Sequence, residues 1–268
     1  MGSLDNKIAL VVGAGSLGDG ISNGNACALS FARAGAAVVC ADRFLDRAEA
    51  TAKLITDEGG RAVAVQADAT VEADVQAAVD RAVSEYGRLD IIQNNVGVGG
   101  SWGLPDEIAF DDWNREIAQN LTSAYLGIRC AAPVMRAQGG GVILNVSSLF
   151  AVRFVRRPNT GYTAGKAAVE AMTRVCAMAY GRDNIRVNCL RIGFVETASL
   201  HHGLASRTAD AEEKEKALNS TRRKVPLNGQ HGEPFDTGGA AVFLASDAAK
   251  HITGAILNID GGLEVAAI

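Results

Sequence analysis

Tyr162 and Lys166 stand four residues apart in GYTAGKAAVEAMTRV, with small residues between them and helical spacing after them. At i and i+4 two side chains share one helix face. An ammonium beside a phenol favours the phenolate and lowers its pKa towards neutrality. That chemistry makes Tyr162 a candidate general acid/base for an alcohol or a ketone. Of the four tyrosines, Tyr86, Tyr125, Tyr162 and Tyr180, only Tyr162 has a lysine at this spacing. Taken alone, such a pair is more often a surface contact than a catalytic one.

A second group could bind an anion. VVGAGSLGDGISNGNACALSF contains the dinucleotide fingerprint G-x-G-x-x-G as Gly13, Gly15 and Gly18, but Gly20 and Gly24 follow. The run of Gly20, Ser22, Asn23 and Gly24 disfavours a helix interior, and clean helical spacing begins only at Ala26. The expectation is one long loop over residues 13–22, with Gly13 at the exit turn and Asn23 as helix N-cap. Asn23 and Gly24 then offer pyrophosphate the free N–H groups of a helix entrance. Asp42 ends the next apolar run, eighteen residues past Gly24. A carboxylate there hydrogen-bonds ribose hydroxyls and repels a 2′-phosphate, so NAD is expected over NADP. Arg43 is the competing charge.

Seven short apolar runs position these residues: KIALVVGAG, AAVVCAD, RAVAVQAD, LDIIQNNVG, GGVILNVSS, NIRVNCLRIG and AILNIDGG. Each is nearly continuously apolar, as in strands buried on both faces. Ala-rich helical segments separate them; VQAAVDRAVSEYG places Val75, Ala78, Val79 and Ala82 on one face. This alternation predicts an α/β fold, a Rossmann-type, doubly wound, seven-stranded parallel sheet flanked by helices. In such sheets ligands bind beyond the carboxyl ends of the strands, where Ser147 and Ser148, NNVG (residues 94–97) and Asp42 all fall. No linker or repeat divides the chain, so residues 1–268 are expected to form a single domain. The charged run 206–224 is a solvated helix face or part of a substrate lid near 194–226.

Composition narrows the class. The 268 residues are 48% hydrophobic, with a net charge of −4 and no basic block, which argues against nucleic-acid binding. No apolar run reaches membrane-spanning length, and MGSLDNK lacks an apolar signal segment. The five cysteines form no C-x-x-C pair and read as small buried hydrophobes of a reducing compartment. The four histidines lack zinc spacing. The expectation is a cytoplasmic protein without a metal.

In order, the glycine loop, NNVG, Asn120 within WNREIAQNLTSAYLGIRCAAPVM, the serine pair and Tyr-x-x-x-Lys resemble the short-chain dehydrogenase/reductase family. GEPFDTGGAAVFLASDAAKHITGAILNIDGG resembles that family's carboxyl-terminal run, so the resemblance spans essentially the whole chain. It implies Tyr162 as acid/base, with Lys166 binding the nicotinamide ribose and depressing the phenol's pKa. It implies Ser148 as hydrogen-bond partner of the substrate oxygen, and Asn120 as holder of a water in a proton relay to Lys166. It also implies Asp68 and Ala69 at the adenine, Asn94 and Asn95 along the cofactor cleft, and Val195 beside the cofactor. A homotetramer or homodimer is implied too, with the helices near 107–136 and 162–180 packing on a second subunit.

Three departures stand out. The glycine loop is longer than the usual T-G-x-x-x-G-x-G, with Val12 in place of Thr. Ser148 lies fourteen residues before Tyr162, one more than the commonest spacing, so Ser147 stays a candidate. Ile192 replaces a Pro, which would loosen the backbone beside the nicotinamide. The substrate is expected to be a small secondary alcohol, cyclic alcohol or diol, or the matching ketone. Trp102, Leu149, Phe150, Phe154 and Phe194 are candidate pocket walls. Arg153, Arg156 and Arg157 either clamp an anion or lie exposed at a subunit surface. Two other readings remain. One is an enoyl reductase, whose wider Tyr-to-Lys spacing this sequence lacks. The other is a non-catalytic dinucleotide-binding regulator, which has no need of Ser148, Tyr162, Lys166 and Asn120 together.

Overall fold

The structure is a computed structural model that describes residues 2–18, 20–154, 157–206 and 208–266. Each of the seven apolar runs forms a strand: β1 (Ile8–Val12), β2 (Ala37–Asp42), β3 (Arg61–Gln66), β4 (Ile91–Asn94), β5 (Gly141–Ser148), β6 (Ile185–Ile192) and β7 (Ile256–Ile259). They pair in parallel in the order β3-β2-β1-β4-β5-β6-β7. The order reverses between β1 and β4, which opens a crevice at their carboxyl ends.

Alternation along the strands feeds two cores. Leu10, Val12, Val39, Ile143 and Val187 face one side. There they meet α3 (Glu72–Tyr86), α5 (Ser123–Ala137) and α6 (Thr160–Tyr180). The predicted face Val75, Ala78, Val79 and Ala82 is fully buried there. Ala9, Val11, Val38, Cys40 and Leu144 face the other side and meet α1 (Asn23–Arg33), α2 (Leu45–Asp57) and α9 (Pro234–Ala245). Four of the cysteines are buried in this packing and Cys176 is half-buried.

Helix α1 begins earlier than its spacing suggests. Its N-cap is Ser22, whose N–H donates to Asn25 Oδ1 at 2.7 Å, and Asn23 is the first helical residue rather than the cap. Residues 13–22 do form a loop; Asp19 lies outside the described residues. Gly13 turns the chain out of β1 with φ +84°. Gly24 serves close approach, since a Cβ there would lie 1.9 Å from the Gly13 carbonyl oxygen. Helix interiors disfavour glycine, but here α1 must pass directly behind the loop.

Two short helices follow β6: α7 (Ala198–Ala205) and α8 (Ala211–Arg222). The charged run is therefore partly helical, capped by Asp210, whose Oδ1 accepts from Glu212 N and Glu213 N. Only Leu218 of α8 is buried. Arg222 ties α8 to Glu196 at 2.5 Å, and Ala198 N donates to Ile21 O at 3.0 Å, joining this segment to the glycine loop. Among the described residues no helix is long and apolar enough to cross a membrane.

Gly24→Ala should force the helix and the loop apart. The expected loss is about 1–3 kcal/mol of stability, read as a lower urea midpoint with an unchanged m-value. Wild-type stability in this variant would show that the contact relaxes freely.

Candidate active site

The crevice is a cleft of about 690 Å³ at the carboxyl ends of the strands. Gly13, Asn23, Asp42, Asp68, Ala69, Asn95, Ser148, Tyr162, Lys166 and Val195 all line it. Gly24 and Asn120 stand behind the lining, Gly24 against Gly13 and Asn120 against Gly97.

Lys166 is 1% exposed. Its Nζ donates to the carbonyl of Val96, just past β4, at 3.0 Å, and to that of Val146 in β5 at 2.9 Å. Burial drives its pKa down to about 8. Tyr162 lies one turn earlier on α6, with Lys166 Nζ 5.8 Å from its ring centroid. Burial raises the phenol above its ordinary value, a hydrogen bond with Ser148 lowers it, and the Glu116 charge raises it. The expectation of a phenol depressed by its lysine is therefore not met. The phenol is desolvated, and the ammonium that should help it is itself desolvated and drawn to two carbonyls.

The two serines separate cleanly. Ser147 lines the cleft too, but its Oγ is bound to Lys166 O at 3.1 Å and Glu170 Oε1 at 2.8 Å. Ser148 turns the opposite way, towards Tyr162. The asparagine pair divides similarly. Asn94 points into the core, donating to Asn145 Oδ1 at 2.9 Å, so it does not line the cleft as expected. Asn95 lines it, with Nδ2 on Gly13 O at 3.2 Å and a buried Oδ1 without a partner among the described residues.

Asn120 occupies a π-helical turn, Ala118–Thr122, between α4 (Phe110–Ile117) and α5. Such widened turns are frequent at functional sites. Its Oδ1 accepts from Val98 N at 3.0 Å, and its Nδ2 donates to Val98 O at 2.7 Å and Glu116 O at 2.9 Å. The amide thus holds the loop that follows β4.

At the far end of the cleft, Asp42 Oδ2 accepts from Gly15 N and Oδ1 from Phe44 N, both at 3.0 Å. Asp68 accepts from the N–H and hydroxyl of Thr70; burial opposes its ionisation, but these bonds and the Arg43 charge outweigh it and lower its pKa. The guanidinium groups of Arg43 and Arg47 lie 4.8 and 4.1 Å from the Phe44 ring centroid. Arg47 lines the cleft beside Arg43 and was not anticipated; it sits four residues further along, on α2.

On the substrate side, Phe150 packs edge-on to Tyr162 at 5.8 Å and to Trp102 at 6.3 Å. Leu149 is buried, Phe154 is 70% exposed, and the Phe194 ring lies tilted against His231, 5.5 Å between centroids, outside the cleft lining. Arg153 is half-buried and donates to the carbonyls of Glu264 and Ala266 at 2.8 and 2.6 Å. Arg157 is exposed, and Arg156 lies outside the described residues. The backbone at Ile192 is not loosened. It pairs with Ser148 on one side and Ile259 on the other. Among the described residues no cluster of His, Cys, Asp or Glu could hold a metal ion.

A parallel sheet with a Gly-rich turn at its switch point and a Ser-Tyr-Lys group beside it defines a dinucleotide-type oxidoreductase site. The chain belongs to the short-chain dehydrogenase/reductase family. The matching family model is described as enoyl-(acyl carrier protein) reductase and covers residues 19–264. Among relatives, cyclohexanol dehydrogenase of an Acinetobacter species (strain SE19) is 32% identical, over 96% of this chain and 94% of its own. A Burkholderia xenovorans crystal structure assigned to the short-chain dehydrogenases/reductases superposes with a TM-score of 0.94 at 36% identity, covering 100% of both chains. A 7α-hydroxysteroid dehydrogenase solved with NADH and 7-oxo glycochenodeoxycholic acid superposes at 0.84 with 33% identity, over 97% of this chain and 94% of that one.

The buried ammonium should leave a signature in stability. In the folded chain Lys166 titrates near pH 8, against an ordinary 10.5. Below 8 it is charged in both states and its burial cost is felt in full. From 8 to 10.5 the unfolded chain holds a proton that the folded chain has released, so stability rises with pH. Relative to Lys166→Met, the wild type should gain about 1.4 kcal/mol per pH unit within that window, measured by urea unfolding. A pH-independent difference would contradict the depressed pKa.

Proposed function

We infer that this oxidoreductase interconverts a secondary alcohol, cyclic or diol, and its ketone, using NAD(H). The observation that carries the reading is the meeting of the Tyr162 phenol, the Ser148 hydroxyl and the buried Lys166 ammonium at one end of the cleft. A nicotinamide dinucleotide fits the rest of it. Gly13 and Gly15 line it without side chains, packed close against Val96 and Asp42, and the buried Asn95 Oδ1 has no donor among the described residues. Gly13, Asn23, Asp42, Asp68, Ala69, Asn95 and Val195 would hold the dinucleotide, with Lys166 near its ribose. Bound there, it supplies the hydride acceptor or donor.

The protein's part is proton handling and orientation. Ser148 holds the substrate oxygen beside Tyr162. The Tyr162 phenolate accepts the alcohol proton in oxidation, and the phenol returns it in reduction. Lys166 is a positive charge one helical turn away, and Asn120 keeps the Val98 loop in register with both. Trp102 and Phe150 give an apolar, aromatic wall suited to a ring. The cyclohexanol and hydroxysteroid relatives act on cyclic substrates by their names, which supports a cyclic alcohol here. The enoyl activity in the family description is the weaker reading, because the Tyr162–Lys166 spacing is that of carbonyl chemistry. Residues 194–226 would act as lid over a single domain, and the exposed Tyr125, Val175 and Met178 of α5 and α6 would be covered in a dimer or tetramer.

Tyr162→Phe should lower kcat for a cyclic alcohol at least about a hundredfold while NADH still binds, as followed by its fluorescence. Near-normal turnover in this variant would defeat the mechanism. For the cofactor, Asp42 is fixed by two backbone donors, whereas Arg43 and Arg47 rest on Phe44. NAD should therefore exceed NADP in kcat/KM, and Asp42→Ala should narrow the gap. A wild type that prefers NADP would assign the choice to the two arginines.

A further inference from the structure

Glu116 is a carboxylate that the proton chemistry above does not use. It sits in WNREIAQNL, three residues after Trp113, and is 2% exposed. Its Oε1 accepts from Gly100 N at 3.1 Å and Ser101 N at 2.8 Å, both in the glycine-rich loop after β4. Its Oε2 accepts from Tyr162 N at 3.0 Å. One side chain on α4 therefore binds the loop that carries Trp102 and the peptide of the acid/base.

The reason lies at the head of α6. The first N–H groups of a helix have no partner in the helix itself. The N-cap of α6 is Asn159, which makes no side-chain capping bond, and Tyr162 is the third residue past it. Glu116 supplies that missing acceptor from another helix, and its charge suits the positive end of α6. Space is kept for it at Gly161, where a Cβ would lie 2.5 Å from Oε2. Thr160 Oγ1 donates to Gly103 O at 2.7 Å, closing the far side of the same loop onto the same helix.

We propose that Glu116 is a positioning residue that clamps the substrate loop onto the head of the catalytic helix and so sets the seat of Tyr162 against the substrate. The proposal rests on the alcohol–ketone reading for its kinetic part only. A carboxylate is required, because three N–H groups converge on it from two sides. A glutamine of the same shape presents oxygen to one side and sets N–H against N–H on the other. Among the described residues the ionisable groups near the phenol are Glu116 from α4 and Lys166 from its own helix, with the Ser148 hydroxyl facing it from β5. Removing the Glu116 charge takes away an influence that keeps the phenol protonated.

The test is Glu116→Gln, with Gly161→Ala as a second variant that displaces the carboxylate without removing it. Amide hydrogen exchange at Gly100, Ser101 and Tyr162 should accelerate at least tenfold in both, with exchange at Leu10 in β1 unchanged. NADH affinity should stay within twofold, while KM for a cyclic alcohol rises about tenfold. In Glu116→Gln alone, the acid limb of the oxidation pH profile should move to lower pH. Unchanged exchange at the three amides overturns the clamp whatever the activity. Faster exchange with an unmoved KM and pH limb reduces Glu116 to scaffolding and overturns the positioning role. If the wild type oxidises no alcohol, the reaction reading fails by itself, and the exchange data still decide the clamp.

Discussion

The site is organised around a cation taken out of water. Among the described residues no carboxylate pairs with Lys166 Nζ; it is held by the carbonyls of Val96, just past β4, and Val146, near the end of β5. Burying an ammonium against neutral dipoles is costly unless every donor is met. That cost makes the position of α6 unforgiving. The helix must lie where its lysine reaches both strand ends, and this places Tyr162 over the crevice and Ser148 beside it. The glycine at position 97 belongs to the same constraint, because a Cβ there would come within 2.8 Å of Nζ.

Behind this cation the charges are paired. Glu170, four residues beyond Lys166 on α6, takes two bonds from Arg191 in β6 and one from the Ser147 hydroxyl. Arg191 also pairs with Glu264, while Arg153 holds the carbonyls of Glu264 and Ala266. The end of β6, helix α6 and the segment after β7 are thus bound in one partly buried network. Buried pairs of this kind are weak evidence for stability but leave little freedom of arrangement. Beside them the strand ladder holds the backbone at Ile192, between Ser148 and Ile259.

The sequence was legible where a local rule decides the outcome. The strands announced themselves as apolar runs, although the edge strands β3 and β7 are only partly buried where burial on both faces was expected, and Tyr162 and Lys166 announced themselves as partners one turn apart. Legibility failed where a neighbour from far along the chain decides. Ser147 and Ser148 are adjacent on a strand and face opposite ways, but which hydroxyl meets Tyr162 depends on where α6 lies. Asn94 and Asn95 pose the same problem at the end of β4. The start of α1 was missed by a residue because Gly24 answers to the Gly13 carbonyl and not to helix propensity. Glu116 gave no signal, since a glutamate in a polar helix reads as solvent-facing until a loop is laid over it. Arg153 read as a surface or substrate cation for the same reason.

The π-helical turn at Ala118–Thr122 gives the fold a matter of phase. An α-helix turns by about 100° per residue, and the wider turn shifts the angular count between α4 on its amino side and α5 on its carboxyl side. Upstream, Glu116 addresses the loop after β4; downstream, Leu126, Cys130 and Met135 of α5 address the core. A regular helix through this stretch would have to give up one alignment to keep the other. The extra residue acts as a mechanical offset between two faces of one rod, so the packing of α5 and the reach of α4 can change independently.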